Sequence, residues 1–138
     1  MNASVKLVNG LSMMGKASSN HWVPMDAEEK VGGEEAASRP VELLLLGLGG
    51  CTGMDVVSIM KKKRVPFVDF EIDIEAERAE EHPRIYTKIK LTYKVYGKNI
   101  KEKDVERAIE LSETKYCPAS AMLRKSADIE TTYEIIEK

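Results

Sequence analysis

A single apolar helix is the feature of this sequence that most restricts how the chain can fold. Its first half is a run of leucines, at Leu43, Leu44, Leu45, Leu46 and Leu48. Because side chains at consecutive positions cover every face of a helix, we expect this half to be buried on all sides. Pro40 suits the first helical position, and Glu42 lies in the first turn near the positive end of the helix dipole. We expect a cap at Ser38 or Arg39 and a helix end near Lys63.

Three glycines lie inside the same helix, at Gly47, Gly49 and Gly50. A glycine inside a helix costs about 1 kcal/mol relative to alanine, so such positions mark the close approach of another backbone or a ligand. A chain of 138 residues has little other material with which to cover a long apolar helix. We therefore predict a homodimer in which two copies of residues 40–60 share one core.

The rest of the chain is divided into strands and shorter helices. Short strands are predicted at residues 4–9, 11–17 and 21–25, with a hairpin turn at Asn9-Gly10 and an exposed acidic loop at 26–38. Long strands are predicted at 67–76 and 85–96, helices at 101–114 and from Pro118 to about Lys125, and a last strand at 128–136. This order predicts an α+β fold with a mainly antiparallel sheet packed on the long helix, as one domain over residues 1–138.

Alternation of apolar and polar residues predicts which faces of these elements are buried. On the first long strand the inward residues are Val68, Phe70, Ile72 and Ile74. On the second they are Ile85, Thr87, Ile89, Leu91, Tyr93 and Val95, and on the helix that follows they are Val105, Ala108, Ile109 and Ser112.

Composition and charge exclude several classes of protein. Lys and Arg number 21 against 23 Asp and Glu, for a net charge of −2, whereas a dedicated nucleic-acid binder carries a basic excess. The basic residues 61–64 are interpreted as charges that favour the C-terminal end of the long helix. The apolar stretch Val41–Gly50 is too short to cross a bilayer, and residues 1–16 lack the apolar core of a signal peptide. His21 and His82 lack the spacing of metal ligands, so we expect no metal site. Taken together, these features predict a cytoplasmic protein with no cofactor and no nucleic-acid or membrane partner.

The two cysteines, Cys51 in the long helix and Cys117 directly before a proline, are the candidates for chemistry. In a reducing compartment they are either buried thiols that pack as small apolar groups, or a redox or nucleophilic pair. The local sequence favours Cys117 as the more reactive thiol, because an N-cap sulfur faces free backbone N–H groups that lower a thiol pKa. Asp55, one turn after Cys51, is interpreted as a polar anchor of the helix.

Three segments carry a more specific pattern, namely RPVELLLLGLGGCTGMDVVSIMKK, EHPRIYTKIKLTYKVYG and LSETKYCPASAMLRKSADIETTYEI. In order and spacing they resemble the OsmC/Ohr family (osmotically inducible protein C and organic hydroperoxide resistance proteins) across essentially the whole chain. The Gly-Gly-Cys helix is most similar to the OsmC-like branch. The resemblance implies an intertwined homodimer and thiol peroxidase chemistry. In that chemistry Cys51 attacks the peroxide as a thiolate, and Cys117 forms a disulfide that an external dithiol reduces.

The resemblance also implies a cation that holds Cys51 as thiolate, supplied by an arginine upstream of the first cysteine and oriented by a glutamate early in the helix. It gives this role to Arg39, with Arg84 as a second candidate. The glutamate is Glu42, one position later than in the family's peroxidases, where it directly follows the helix-start proline. At about 100° per residue, Glu42 lies about 180° around the helix from Cys51. It therefore acts across a dimer interface or serves only as a helix-start anion.

Two hypotheses of function follow from these residues and the resemblance. The first is a thiol-dependent peroxidase that reduces organic hydroperoxides through the Cys51 and Cys117 pair. The second is the same fold acting as a binding protein for a small apolar ligand near Cys51, with little or no turnover. The reactivity of Cys51 toward peroxide distinguishes the two.

Overall fold

The computed structural model describes all 138 residues, and it confirms the predicted order of strands and helices. The strands are β1 (Ala3–Asn9), β2 (Ser12–Ala17), β3 (Val23–Met25), β4 (Phe67–Arg78), β5 (Tyr86–Gly97) and β6 (Asp128–Ile136). The helices are α1 (Pro40–Lys62), α2 (Glu102–Leu111) and α3 (Pro118–Leu123), with a 3-10 turn at Glu29–Val31 and a π-helical turn at Ser112–Tyr116. The chain forms two compact units, Met1–Leu46 and Gly47–Lys138. That the whole chain is a single domain stays a prediction.

The first unit is built on an antiparallel sheet in the order β1-β2-β3. The loop at 26–38 that follows it was expected to be exposed, and this expectation is wrong for Asp26, whose side chain is buried. Its carboxylate accepts hydrogen bonds from the Ala27 N–H at 2.8 Å, the Ser12 hydroxyl at 3.0 Å and the Ala36 N–H at 3.2 Å. The Ala27 N–H holds the pKa of the Asp26 carboxyl below its ordinary value, so the loop folds around a buried anion.

The second unit contains a sheet in the order β4-β5-β6, with β5 in the centre. Strand β5 pairs antiparallel with β4 and parallel with β6, where Lys88 lies opposite Asp128. The prediction of a mainly antiparallel sheet is confirmed, because β5–β6 is the one parallel pairing among four. Parallel neighbours need a long crossover connection, which here consists of α2, the π-helical turn and α3.

The second half of α1 packs inside this second unit. A stripe with a spacing of four residues is fully or almost fully buried, at Leu48, Thr52, Val56 and Met60. Of the three predicted close-approach glycines, only Gly49 is crowded within the chain, because a Cβ there would lie 2.7 Å from Cδ1 of Ile74. Gly47 and Gly50 have no neighbouring atom within 4 Å of where a Cβ would stand.

The leucine run is not buried on all sides in the single chain. Leu44 is 52% exposed and Leu46 is 60% exposed, whereas Leu48 is completely buried. The length of the apolar segment also differs from the sequence prediction, which was based on Val41–Gly50 alone and found it too short for a bilayer. The whole 23-residue helix is long and apolar enough to cross one by length and composition, which are criteria that the core helix of a soluble protein meets as well.

The predicted strand faces hold in the middle of each strand and fail at the ends. Inward positions from Phe70 to Ile74 and from Ile89 to Val95 are buried or half-buried, as are all four predicted positions of α2 and the turn after it. Val68 is exposed, because the register of β4 against β5 shifts between Phe67 and Asp69. Ile85 and Thr87 are exposed and Tyr86 is buried instead, next to a second shift between Glu77 and Arg78. A β-bulge adds one residue to one strand, so the inward set changes beyond it.

Candidate active site

The structure brings the two cysteines together within the second unit. Cys51 is half-buried in α1, Cys117 is buried at the start of α3, and both are free thiols. The Cys51 side chain lies close enough to the Cys117 thiol to raise the pKa of that thiol. No group of three or more His, Cys, Asp or Glu side chains is arranged to hold a metal ion.

Cys117 occupies the N-cap position of α3, as the sequence predicts. Its Sγ accepts a hydrogen bond from the Ser120 N–H at 3.3 Å. The predicted fall in pKa is nevertheless wrong, because burial raises the pKa of Cys117 to about 11 and outweighs the Ser120 N–H. The nearby Cys51 side chain raises it further. Cys117 therefore keeps its proton at neutral pH.

A buried network of hydroxyl groups lies beside the thiols. Thr52 Oγ1 is 2.7 Å from the Tyr93 hydroxyl and 2.9 Å from Ser112 Oγ. Ser112 Oγ donates to the half-buried Asp55 carboxylate at 3.0 Å. A serine hydroxyl has one proton, so Ser112 accepts from Thr52, and Thr52 in turn accepts from Tyr93. Burial raises the pKa of Tyr93 to about 12, which keeps this phenol protonated as the first donor of the network.

Ser112 also connects this network to Cys117 through the backbone. The Ser112 carbonyl accepts the Cys117 N–H at 2.9 Å, and the Ser112 N–H donates to the carbonyls of Ala108 and Ile109 in α2. The π-helical turn between Ser112 and Cys117 is a rare conformation that is frequent at functional sites. The predicted anchoring role of Asp55 is confirmed, since it holds Ser112. Sequence reasoning missed the network, although Thr52, Tyr93 and Ser112 all place a hydroxyl on a buried face.

A cation near Cys117 was also missed by sequence reasoning. Arg124 donates to Ser120 Oγ at 3.2 Å and to the Ile129 carbonyl at 3.3 Å, and it forms an ion pair with Glu113 at 3.3 Å. Ser120 is the residue whose N–H bonds to the Cys117 sulfur. The available signal was spacing, because Arg124 follows Cys117 by about two helical turns.

The predicted charge partners lie in the first unit and in a hairpin loop. Arg39 forms ion pairs with Glu35 at 3.0 Å, Glu42 at 3.3 Å and Glu28 at 3.7 Å. The Arg39 N–H also donates to the Glu42 carboxylate at 3.1 Å, which is half of a capping box at the start of α1. Arg84 is exposed in the loop between β4 and β5, where its carbonyl accepts a hydrogen bond from the side chain of Arg78. The action of either arginine on Cys51 stays a prediction.

Comparison with known proteins adds to this geometry. Residues 32–132 match the sequence model of a family described as OsmC-like protein. Protein YhfA of Escherichia coli strain K12 is 42% identical over 136 residues, which cover 99% of this chain and 98% of YhfA. A crystal structure of a hypothetical protein from Aquifex aeolicus VF5 is 33% identical, with a TM-score of 0.87 over 99% of this chain and 96% of that one. An organic hydroperoxide resistance protein OsmC from Legionella pneumophila is 14% identical and shares the fold, with a TM-score of 0.71 over 97% of both chains.

Proposed function

The chain belongs to the OsmC-like protein family, and on that premise we propose that it is a thiol-dependent peroxidase that reduces organic hydroperoxides through Cys51 and Cys117. The observation that carries the proposal is that the two thiols lie together, with Cys117 held protonated by burial. The name of the Legionella pneumophila neighbour, an organic hydroperoxide resistance protein, supports the choice of substrate.

The reaction has three steps. The Cys51 thiolate attacks the hydroperoxide, so that an S–O bond forms and the O–O bond breaks. The products are a sulfenic acid on Cys51 and an alkoxide, which takes a proton and leaves as the alcohol. The Cys117 sulfur then attacks the sulfenic sulfur, a disulfide forms, and the departing hydroxide leaves as water with the Cys117 proton. An external dithiol returns two electrons by thiol–disulfide exchange and restores both thiols.

The environments of the two thiols support this division of roles. Cys51 is half-buried and so is the more accessible sulfur, whereas Cys117 is only 3% exposed. A protonated thiol is a poor nucleophile, so Cys117 does not compete with Cys51 for peroxide. Its proton is available to the leaving group of the second step.

The charge partner of Cys51 in this proposal is Arg39, oriented by Glu42. Two contacts with Glu42 support the orientation, an ion pair at 3.3 Å and a hydrogen bond from the Arg39 N–H at 3.1 Å. Arg84 is the second candidate, and its exposed position in a hairpin loop gives it less support.

We also propose that the active form is a homodimer in the cytoplasm. Leu44 and Leu46 are more than half exposed on a helix that is otherwise rich in apolar residues, and a second copy would cover them. Gly47 and Gly50 have open space beside them, which leaves room for a close approach by that copy. The cytoplasm supplies the reducing thiols that the third step requires.

The alternative is a binding protein for a small apolar ligand, and one observation favours it. The guanidinium of Arg39 is already shared among the carboxylates of Glu28, Glu35 and Glu42, so less of its charge is available to a thiolate. A chain without an effective cation would keep the apolar surroundings of the long helix and lose turnover.

Hydroperoxide consumption in the presence of dithiothreitol tests the proposal. Cumene hydroperoxide, t-butyl hydroperoxide and hydrogen peroxide are compared at equal concentration, with the Cys51→Ser variant as the matched control. We expect both organic substrates to be consumed faster than hydrogen peroxide, and the variant to be inactive. Equal or faster consumption of hydrogen peroxide would contradict the substrate class. If no peroxide is consumed and cumyl alcohol (2-phenyl-2-propanol) binds saturably, the result would favour the hypothesis of a binding protein.

A further inference from the structure

We propose that the hydrogen bond between Thr52 and Ser112 is a positioning contact that holds Cys117 against Cys51 and sets the reduction potential of their disulfide. The inference rests on the proposed function, because it concerns the same pair of thiols. In the proposed reaction, neither Thr52 nor Ser112 contacts the peroxide or exchanges electrons. Both act through the cysteines that they hold.

The connection runs through two short links. Thr52 directly follows Cys51 in α1, so its hydroxyl is fixed to the backbone that carries the first thiol. The Ser112 carbonyl accepts the Cys117 N–H at 2.9 Å, which fixes the backbone that carries the second thiol. The 2.9 Å bond between Thr52 Oγ1 and Ser112 Oγ joins these two pieces of backbone across 60 residues of sequence.

The rest of the network makes this bond directional and rigid. Asp55 accepts the only Ser112 hydroxyl proton at 3.0 Å, which turns the Ser112 oxygen lone pairs toward Thr52. Tyr93 supplies a donor to Thr52 at 2.7 Å, and Thr52 and Ser112 are at most 1% exposed. Hydrogen bonds shielded from water are stronger and polarise one another, so the bond is stiff enough to hold a distance between two elements.

The expected consequence is thermodynamic. A disulfide is favoured over two external thiols in proportion to how well the folded chain holds its own thiols together. Loss of the Thr52–Ser112 bond leaves the π-helical turn held to α1 through the Ser112 side chain by the Asp55 bond alone, so that the two sulfurs meet less often. We therefore expect the disulfide of the altered protein to be more easily reduced than that of the wild type.

The test measures the disulfide directly and needs no peroxide turnover. The purified protein is equilibrated with mixtures of reduced and oxidised glutathione, and the Cys51–Cys117 disulfide is quantified by mass spectrometry after acid quenching. Thr52→Val removes the hydroxyl and keeps the volume, Thr52→Ser keeps the hydroxyl, and Ser112→Ala removes the other partner. Tyr93→Phe is the matched control, because it deletes a buried hydroxyl from the same network and leaves the Thr52–Ser112 bond in place.

We expect Thr52→Val to lower the equilibrium constant for disulfide formation by about tenfold, the order that one buried hydrogen bond supplies, or about 30 mV. Ser112→Ala also removes the bond to Asp55 and should lower the constant at least as much. Thr52→Ser should stay near the wild type, and Tyr93→Phe, which loses only the donor to Thr52, should shift less than Thr52→Val. If Ser112→Ala does not fold, the comparison of Thr52→Val with Thr52→Ser alone tests the proposal. The proposal would be overturned if Thr52→Val and the wild type had the same reduction potential, or if Tyr93→Phe shifted the potential as much as Thr52→Val. It would also be overturned if the wild type formed no Cys51–Cys117 disulfide. Failure of the proposed function would be distinguishable from this result. The protein would then consume no hydroperoxide, while its disulfide equilibrium with glutathione could still be measured.

Discussion

The backbone N–H of Ser120 donates to the sulfur of Cys117 at 3.3 Å, yet the pKa of that thiol is raised to about 11. The N-cap and the burial act in opposite directions, and burial is the larger effect. The cap therefore orients the sulfur without ionising it. A thiol oriented in this way and kept protonated is suited to the second step of a two-cysteine reaction.

The first prediction concerns the pH at which Cys117 ionises. In the Cys51→Ser variant the midpoint should lie above 9.0, the ordinary value for a thiol, because burial is the largest cause of the shift and remains. Thiolate absorbance in the ultraviolet, taken as the difference from a variant that lacks both cysteines, measures it. A midpoint below 9.0 would mean that the N-cap dominates after all.

The same shift predicts a pH dependence of stability. The pKa of Cys117 is higher in the folded chain than in the unfolded one. The contribution of this thiol to the free energy of unfolding is therefore fully present below pH 9.0. That contribution is lost as the pH rises through about 11. Urea unfolding at several pH values should show a steeper loss in this range for the wild type than for Cys117→Ser. Parallel curves for the two proteins would contradict the expectation.

The second prediction separates the roles of the thiols. Cys51→Ser should abolish hydroperoxide turnover, whereas Cys117→Ser should permit one oxidation of Cys51 to a sulfenic acid that dimedone traps. Mass spectrometry after one equivalent of cumene hydroperoxide is the measurement. A sulfenic acid on Cys117 in an active Cys51→Ser variant would reverse the two roles.

The third prediction concerns the cation. Arg39→Ala should lower the rate of Cys51 oxidation by about tenfold or more, because an opposite charge beside an ionised group favours that form strongly. Arg39→Lys should recover only part of the rate, since an ammonium lacks the planar fork that meets several carboxylates at once. Arg84→Ala is the matched control and should oxidise at the wild-type rate. Stopped-flow measurement of sulfenic acid formation distinguishes these variants. A larger loss of rate in Arg84→Ala than in Arg39→Ala would assign the stabilisation of the Cys51 thiolate to Arg84.

The fourth prediction concerns the exposed leucines of α1. Leu46 is 60% exposed and Leu48 is completely buried in the single chain. Leu46→Glu should give a folded protein that sediments as a monomer, because it charges only the surface that a second copy covers. Leu48→Glu should cost several kcal/mol and leave the protein unfolded or insoluble, because it buries a charge without a partner. Sedimentation velocity and circular dichroism test both, and a folded wild-type monomer at micromolar concentration would refute the shared core.

The fifth prediction uses the two glycines that have open space in the single chain. In an exposed helix, Gly47→Ala and Gly50→Ala should each stabilise the fold by about 1 kcal/mol. If a second copy approaches closely there, the added methyl groups should instead weaken association. We expect the second outcome, seen as a lower thermal midpoint that depends more steeply on protein concentration. Higher midpoints at every concentration would place these glycines away from the interface.

Much of the fold was predictable because strong local signals agree with it. The Asn9-Gly10 turn, the Pro40 start of α1 and the alternation in β5 each predict the element that forms. The ends of the long strands were not predictable, because a bulge such as the one between Phe67 and Asp69 reverses the inward face without altering composition.

The site was predictable only in part, because its chemistry depends on contacts between distant residues. The N-cap at Cys117 is local and was found, but the burial that governs its pKa comes from tertiary packing. The Thr52–Ser112 bond joins elements 60 residues apart, and a single sequence carries no signal for such a pairing. Asp26 is similar, since acidic loops are usually solvated and its buried carboxylate is satisfied by donors from four other residues.

The parallel pairing of β5 with β6 also bears on when the thiols meet during synthesis. Strand β6 leaves the ribosome after the entire crossover that carries Cys117, and its pairing with β5 completes that crossover at the sheet. Closing a long loop is entropically costly and makes such contacts slow to form. In a nascent chain, therefore, we expect the contact between Cys51 and Cys117 to be complete only once the last strand is in place. Formation of the proposed Cys51–Cys117 disulfide would then report that the C-terminal strand has docked.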